Sequence, residues 1–100
     1  MEYYINLQAG ADNQTYYFNN TLPLSLTNRH ARRSIDFKLF DDKHNEIDLR
    51  NPPIYVNPGV NSFSVDLSSN LIKPDQFYFA QVRLSEEEVF LLKLYKEKED

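Results

Sequence analysis

The stretch of sequence that decides the fold is Ile72-Lys73-Pro74-Asp75-Gln76-Phe77-Tyr78-Phe79-Ala80-Gln81-Val82-Arg83-Leu84. Pro74 fixes φ near about −65° and has no N–H, so it belongs in a turn or at the start of a strand. After it, every second residue is apolar, beginning with Tyr78, and the intervening positions include Gln81 and Arg83. The pattern predicts a tight corner followed by a strand with one face in the core.

The corner has the spacing apolar-x-Pro-x-x-x-Tyr, formed by Ile72, Pro74 and Tyr78 and followed by Ala80 and Val82. This spacing resembles the corner that enters strand F of fibronectin type III and other immunoglobulin-like sandwiches. The resemblance implies that the Tyr78 hydroxyl bonds back to the backbone a few residues upstream and pins the corner.

A longer likeness runs over residues 36–96. It looks like the small β-sandwich sorting domains at the C-termini of exported Bacteroidetes proteins. The segments that carry this likeness are Phe37–Asp42, Phe63–Leu67, Pro74–Val82 and Leu92–Leu94. The likeness implies a β-sandwich and a role in sorting or adhesion at a cell surface.

The rest of the chain alternates in the same way. About seven short apolar runs follow one another at intervals of roughly 8–12 residues, with turn residues between them. Three runs have a clear apolar face: Leu22, Leu24 and Leu26; Ile35, Phe37 and Leu39; Phe63, Val65 and Leu67. The sequence therefore predicts an all-β fold, an antiparallel immunoglobulin-like or fibronectin-like sandwich of about seven strands, in a single domain over residues 1–100.

One of these runs contains a proline. Pro23 interrupts the alternation of residues 21–27, which indicates an edge strand or a strand with a break. Because an edge is where another chain can pair, this segment is a candidate contact surface.

Residues 85–96 fit two structures. Ser85 with Glu88 three residues later is the pattern of a helix capping box. Alternatively the glutamates form a hairpin loop, and Phe90, Leu92 and Leu94 face the core from a final strand. We favour the strand, because the strand before it needs a neighbour and a hairpin is the simplest one.

Composition limits the function. The chain has 100 residues, a net charge of −4 and no cysteine, so disulfides and Cys-ligated metals are excluded. The acidic balance argues against a nucleic-acid binder. The first residues lack the basic and apolar regions of a secretory signal, and no apolar run is long enough to cross a membrane.

The residues that could carry chemistry do not form a catalytic or metal-binding pattern. His30 and His44 stand in polar connections without a nucleophile motif. Residues 41–46 contain three acids, but Lys43 takes a ligand position of a calcium loop and no glycine provides its sharp turn, so a charged turn is expected. We expect no catalytic residue, metal, cofactor or small-molecule substrate.

Two groups of residues are candidates for contact with a partner. The first is the basic connection that contains Arg29, Arg32 and Arg33, which could engage an acidic protein or a nucleic-acid backbone. The second is a set of aromatic residues that alternation places on outer faces or in adjacent pairs, since neighbours in a strand point to opposite sides. This second set consists of Tyr4, Tyr16, Tyr17, Phe40, Phe77 and Phe79.

These features predict a non-enzymatic structural or interaction module that docks on proteins, or on itself, through edge strands and aromatic patches. A Cys-free sandwich of this size looks like the small accessory proteins of tailed-phage virions, which decorate capsids or tails. That likeness implies a place in the virion or in the host cytoplasm. The alternatives are a surface adhesion or sorting domain and a regulator or inhibitor that binds through its arginine loop.

Overall fold

The fold is all-β. The computed structural model describes residues 3–9 and 14–98. The described part contains one 3₁₀ turn, Leu7–Ala9, and nine strands. The strands are β1 Ile5–Asn6, β2 Thr15–Phe18, β3 Thr21–Asn28, β4 Arg33–Asp41, β5 Glu46–Ile47, β6 Ile54–Val56, β7 Gly59–Asp66, β8 Gln76–Arg83 and β9 Val89–Lys96.

The strands form a sandwich of two sheets. One sheet has three strands in the order β1-β3-β7, and the other has the order β2-β9-β8-β4, with β5 and β6 both pairing along the far edge of β4. The core lies between the sheets and draws from both: Leu22, Leu24 and Leu26 of β3 belong to the same buried cluster as Leu39 and Leu94. The apolar alternation predicted for these strands is therefore confirmed.

Two of the pairings are parallel, so the sheets are mixed, whereas the sequence predicted an antiparallel arrangement. β1 pairs with β3 in parallel, and β2 pairs with β9 in parallel. Antiparallel pairing was expected because neighbours along the chain join by hairpins. The first two strands instead pair with partners distant along the chain, so no hairpin determines their direction.

The predicted corner bond is present. The Lys73 N–H donates to the Tyr78 hydroxyl at 2.7 Å, and that hydroxyl lies 3.3 Å from the Lys73 carbonyl oxygen. Tyr78 is only 1% exposed, and its ring meets Phe18 edge-on from the neighbouring part of the core. The hydroxyl therefore holds the chain that leads into β8 against the core, and Asp75 completes the corner with a φ of 61°.

Tyr78→Phe removes this bond and keeps the ring. We expect the free energy of unfolding to fall by about 1 kcal/mol, the usual net value of one such hydrogen bond. In a domain of this size that corresponds to about 4–8 °C in the thermal midpoint, measured by circular dichroism. Tyr55→Phe is the matched control, because the Tyr55 ring is exposed. Equal midpoints for the two variants would remove the corner bond as a source of stability.

The strand that contains Pro23 is not an edge strand, which corrects the sequence prediction. β3 is the middle strand of its sheet, between β1 and β7. The proline is tolerated because β1 pairs only with Leu24 and Ser25, and its first residue lies opposite Leu24, one position past the proline. Beyond that pairing, the side-chain amide of Gln8 bonds both the N–H and the C=O of Thr27 at 2.7 Å, in the manner of another strand residue.

The last segment is a strand, as favoured. β9 pairs with β8 over its full length, and Leu92 and Leu94 are buried. The Ser85 hydroxyl donates to a Glu88 carboxylate oxygen at 3.0 Å within the hairpin loop between β8 and β9. In a capping box, by contrast, each of the two side chains would bond the backbone N–H of the other residue. The Glu88 N–H donates to the Ser85 carbonyl oxygen at 3.2 Å in the same loop.

The sequence of residues 57–60 has Pro58 and Gly59 at the second and third positions of a type II turn, and Gly59 has a φ of 102°, in the region that this turn requires at its third position. Residues 9–13 are rich in turn-forming residues, which predicts a second turn, but residues 10–13 lie outside the described residues. The same holds for the last two residues of segment 97–100, which the sequence predicts to be a solvated tail.

Candidate interaction surface

The outer face of the larger sheet presents a continuous group of aromatic and aliphatic side chains. Pairing places Tyr17, Tyr95 and Phe77 in one row across β2, β9 and β8. The next row contains Phe79 and Phe40. We call this group the aromatic face; its members are Tyr17, Phe40, Phe77, Phe79, Leu91 and Tyr95.

Several members are open to solvent. Tyr17 is 66% exposed, Phe77 41% and Leu91 75%, which is unusual for large apolar residues that stand close together. Tyr95 lies between two of the rings: its centroid is 5.7 Å from that of Tyr17 and 4.9 Å from that of Phe77, each pair at 67°. The rings thus hold one another in a fixed, ridged surface before any partner arrives.

The turn between β4 and β5 adds a ring to this surface. The Asp41 carboxylate accepts the N–H groups of Lys43 at 2.9 Å and Asn45 at 2.8 Å. These bonds, that of Asn45 first, hold the pKa of Asp41 below its ordinary value. His44, at a φ of 68°, stacks on Phe79 with 6.0 Å between ring centroids. The Asp41 carboxylate therefore stabilises a turn, and the prediction that residues 41–46 form a charged turn is confirmed.

This side of the sheet carries charges of both signs. Lys93 stands between Thr15 and Phe79 in the pairing, and its ammonium lies 4.9 Å from the centroid of Phe77. Lys38 and Arg83 occupy outer positions of the neighbouring strands. The acids are Asp36, opposite Arg83, Glu46, opposite Phe40, and Asp75, whose carboxylate accepts the Tyr95 hydroxyl.

The structure brings together four of the six aromatic candidates: Tyr17, Phe40, Phe77 and Phe79. Tyr16 points inward and packs against the core, as expected for the neighbour of exposed Tyr17. Tyr4 is half-buried just before β1, beside the smaller sheet.

Arg29, Arg32 and Arg33 lie at the other end of the molecule. Arg33 begins β4 and Phe40 comes near its end, seven residues or about 23 Å away at about 3.3 Å per residue. Arg32 lies over the ring of Tyr55, 4.7 Å from its centroid. Buried Asn28 fixes the connection through bonds to the Ala31 and Val56 carbonyl oxygens, both at 3.3 Å.

The arginine loop faces the acidic hairpin between β8 and β9. His30 Nε2 lies 2.6 Å from a Glu88 carboxylate oxygen, so the two loops are joined by an ion pair when His30 is protonated. An open depression of about 300 Å³ beside it is lined by Arg33 and Arg83 but also by Asp36 and Glu86. A nucleic-acid backbone is bound by cations that acids do not offset, so this mixture of signs argues against such a partner.

The Glu88 contact gives a pH-dependent contribution to stability. The His30 bond first, then the Ser85 bond, holds the pKa of Glu88 below its ordinary value. A carboxyl group whose pKa is lower in the folded than in the unfolded protein stabilises the fold at pH values above its unfolded pKa. This contribution is lost as the pH falls through the folded pKa. Below about pH 4.5 we therefore expect the thermal midpoint to fall less steeply in Glu88→Gln than in the wild type.

Calorimetry between about pH 5 and pH 3 measures this difference. We expect it to be small, because both side chains are partly exposed. Glu87→Gln removes the neighbouring exposed acid and is the control, with a profile parallel to the wild type. Superimposable profiles for the wild type and Glu88→Gln would show that the bond between the loops adds nothing.

A cleft of about 310 Å³ opens where the segment between β5 and β6 leaves the edge of β4. Its lining mixes Phe37, Ile47 and Leu49 with Lys38 and Asp48. Within residues 3–9 and 14–98, no group of three or more His, Asp or Glu side chains is placed to hold a metal ion. In the same part of the chain, no helix is long and apolar enough to span a membrane.

Comparison of the chain with models of protein families, with curated proteins and with solved structures gave no match. The site is therefore interpreted from its own geometry. Sequence reasoning missed Leu91, Lys93 and Tyr95 as members of the surface. Their signal was the alternation of β9, which places these three opposite Leu92 and Leu94, but it could be used only if residues 85–96 were taken as a strand.

Proposed function

We propose that this protein is a non-enzymatic interaction module that docks on another protein through the aromatic face. The observation that carries the proposal is the row of Tyr17, Tyr95 and Phe77 on the solvent side of the larger sheet. Phe79 and Phe40 form the next row, and exposed Leu91 follows beyond it. Isolated exposed apolar residues are common on protein surfaces, whereas a contiguous patch marks an interaction site.

The chemistry of the face suits a protein partner. Tyr and Phe are enriched at the centres of protein interfaces, because they bury a large area and lose few rotamers. The edge-on ring contacts already fix Tyr95 between its neighbours, so little further ordering is needed on binding. β7 is an edge strand of eight residues and offers a second, backbone-mediated contact.

We further propose that the sandwich is immunoglobulin-like. The order β9-β8-β4 corresponds to the G-F-C sheet of that architecture, and the pairing of β3 with β7 corresponds to B with E. The bond from Lys73 to the Tyr78 hydroxyl stands where the tyrosine corner of strand F does. Modules of this architecture serve many roles, so the proposed role depends on the aromatic face and not on the fold.

The more specific proposal is a virion accessory protein, a decoration of a capsid or tail. Its support is the likeness in size, composition and sandwich type described above, together with a face fit for docking. The test is gradient sedimentation of a lysate of the native source, in which mass spectrometry follows this chain. We expect it to travel with particles of megadalton mass.

The control variants make this test specific to the face. Leu91→Ser changes an exposed leucine of the aromatic face, and Leu71→Ser changes one that is 57% exposed in the loop before β8. We expect Leu91→Ser to be absent from the particle fraction and Leu71→Ser to sediment with it. A wild-type chain that sediments as a free small protein would overturn the virion proposal and favour the surface-domain and arginine-loop alternatives.

A further inference from the structure

We propose that the partner presents a carboxylate opposite Lys93, surrounded by apolar side chains. This inference rests on the proposed function, since it assumes that the aromatic face is covered when the protein docks. It specifies which chemical group the contact surface of the partner must contain. The partner is thus a protein with an Asp or Glu in the middle of its contact patch.

Lys93 occupies a central position in the face. It pairs with Phe79 on one side and with Thr15 on the other, and it lies two residues from both Leu91 and Tyr95 along β9. A partner that covers Tyr17, Phe77 and Leu91 must therefore cover Lys93 as well. Its ammonium cannot reach the rim of the contact without leaving the ring of Phe77, over which it lies at 4.9 Å.

Covering an ammonium removes its water. The Phe77 ring attracts the charge but accepts none of its three N–H groups in a normal hydrogen bond. Among the described residues, no carboxylate lies within 4.0 Å of the Lys93 ammonium, since the ion pairs found there are those of His30 with Glu88 and of Arg50 with Asp48. The compensating anion must come from outside, because a buried charge is tolerated only when it is paired.

None of the acids on this side of the sheet forms an ion pair with Lys93 among the described residues. Glu46 lies on β5, three strands from β9, or about 14 Å at about 4.8 Å per strand. Asp36 lies on β4, two strands from β9, and Asp75 accepts the hydroxyl of Tyr95. Because Lys38, Arg83 and Lys93 stand beside these three acids, the inference depends on the unpaired ammonium of Lys93 and not on an excess of positive charge.

A carboxylate fits better than a nucleic-acid phosphate. Bases stack on open, parallel ring faces, whereas Tyr95 stands at 67° to both of its neighbours and Lys93 covers one face of Phe77. Ridged aromatic side chains around one cation match a protein patch of apolar side chains around one acid.

Zero-length carbodiimide cross-linking tests the proposal, because it joins an amine only to a carboxylate in direct contact. The reagent is applied to the particle fraction of the native source with this chain bound, and the linked peptides are sequenced by mass spectrometry. We expect a link from Lys93 to an Asp or Glu of a particle protein. Lys73, exposed in the corner loop away from the face, is the control and is expected to form none.

Two variants separate this inference from the proposed function. If a carboxylate faces Lys93, Lys93→Met leaves it unpaired and Lys93→Glu repels it, so we expect affinity for the particle fraction to fall by about tenfold or more for the first and further for the second. If Lys93→Met binds as well as the wild type or better while Leu91→Ser still fails, docking stands and the carboxylate is refuted. If Leu91→Ser also binds normally, both proposals fail together.

Discussion

Phe77→Ala is expected to weaken docking by about 30-fold or more and to leave the sandwich folded. Phe77 stands on β8, the middle strand of the larger sheet, where it packs against Tyr95 and lies under the Lys93 ammonium. Aromatic anchors at the centre of an interface typically contribute about 2 kcal/mol or more, which is about 30-fold in the dissociation constant. Titration of the labelled chain with the purified particle fraction gives this ratio.

The folded state of the variant is checked separately. Phe77 points away from the core and is 41% exposed, so its truncation removes few contacts within the chain. We expect a circular dichroism spectrum like that of the wild type. Tyr3→Ala, which truncates an exposed ring outside the aromatic face, is the control for docking and is expected to bind normally. An equal loss of docking affinity in Phe77→Ala and Tyr3→Ala would show that the contact does not depend on the aromatic face.

The largest effect on stability is expected at Leu24→Ala. Leu24 is fully buried in the middle strand of the smaller sheet, where it pairs with Phe63 of β7 and with Ile5 of β1. Truncating a buried leucine costs about 2–5 kcal/mol, from lost apolar burial and from the cavity left behind. Because a domain of this kind has about 5–15 kcal/mol in all, the variant should lose a large fraction of its stability.

Chemical denaturation measures this loss as a shift of the midpoint. Leu71→Ala is the matched control, because it makes the same change at an exposed position and is expected to stay within about 0.5 kcal/mol of the wild type. A Leu24→Ala midpoint equal to that of the control would mean that the two sheets do not share the core described here.

The sequence predicted most reliably what depends on neighbouring residues. The alternation of β3, β4, β7 and β8 follows from the two-residue period of a strand, so their buried faces could be assigned directly. The Tyr78 bond could be predicted because its donor, Lys73, and its acceptor, Tyr78, are only five residues apart along the chain. The opposite faces of Tyr16 and Tyr17 follow from the same period.

Contacts between distant segments could not be predicted. The parallel pairing of β2 with β9 joins residues 15–18 to residues 93–96, and it alone brings Tyr17 beside Tyr95. The ring partner of Arg32, Tyr55, is likewise 23 positions away in the sequence. Each sequence segment has its own pattern, but none records which strand will lie next to it.

One local pattern was ambiguous for a physical reason. Ser85 and Glu88 stand three residues apart. This spacing suits reciprocal side-chain-to-backbone bonds at the start of a helix, and it equally allows the bond between the two side chains that is found in this hairpin loop. The deciding factor is tertiary: β8 has a full-length partner only if residues 89–96 form a strand. That same strand then supplies Leu91, Lys93 and Tyr95 to the surface.

Hydroxyl-radical footprinting of the chain, free and bound to the particle fraction, shows directly whether docking covers the aromatic face. We expect Tyr17, Phe77, Leu91 and Tyr95 to lose reactivity together on binding. Reactivity should be unchanged at Tyr3 before β1 and at Leu71 in the corner loop, which are both exposed. Protection of these two residues while the aromatic face stays reactive would show that docking uses another surface.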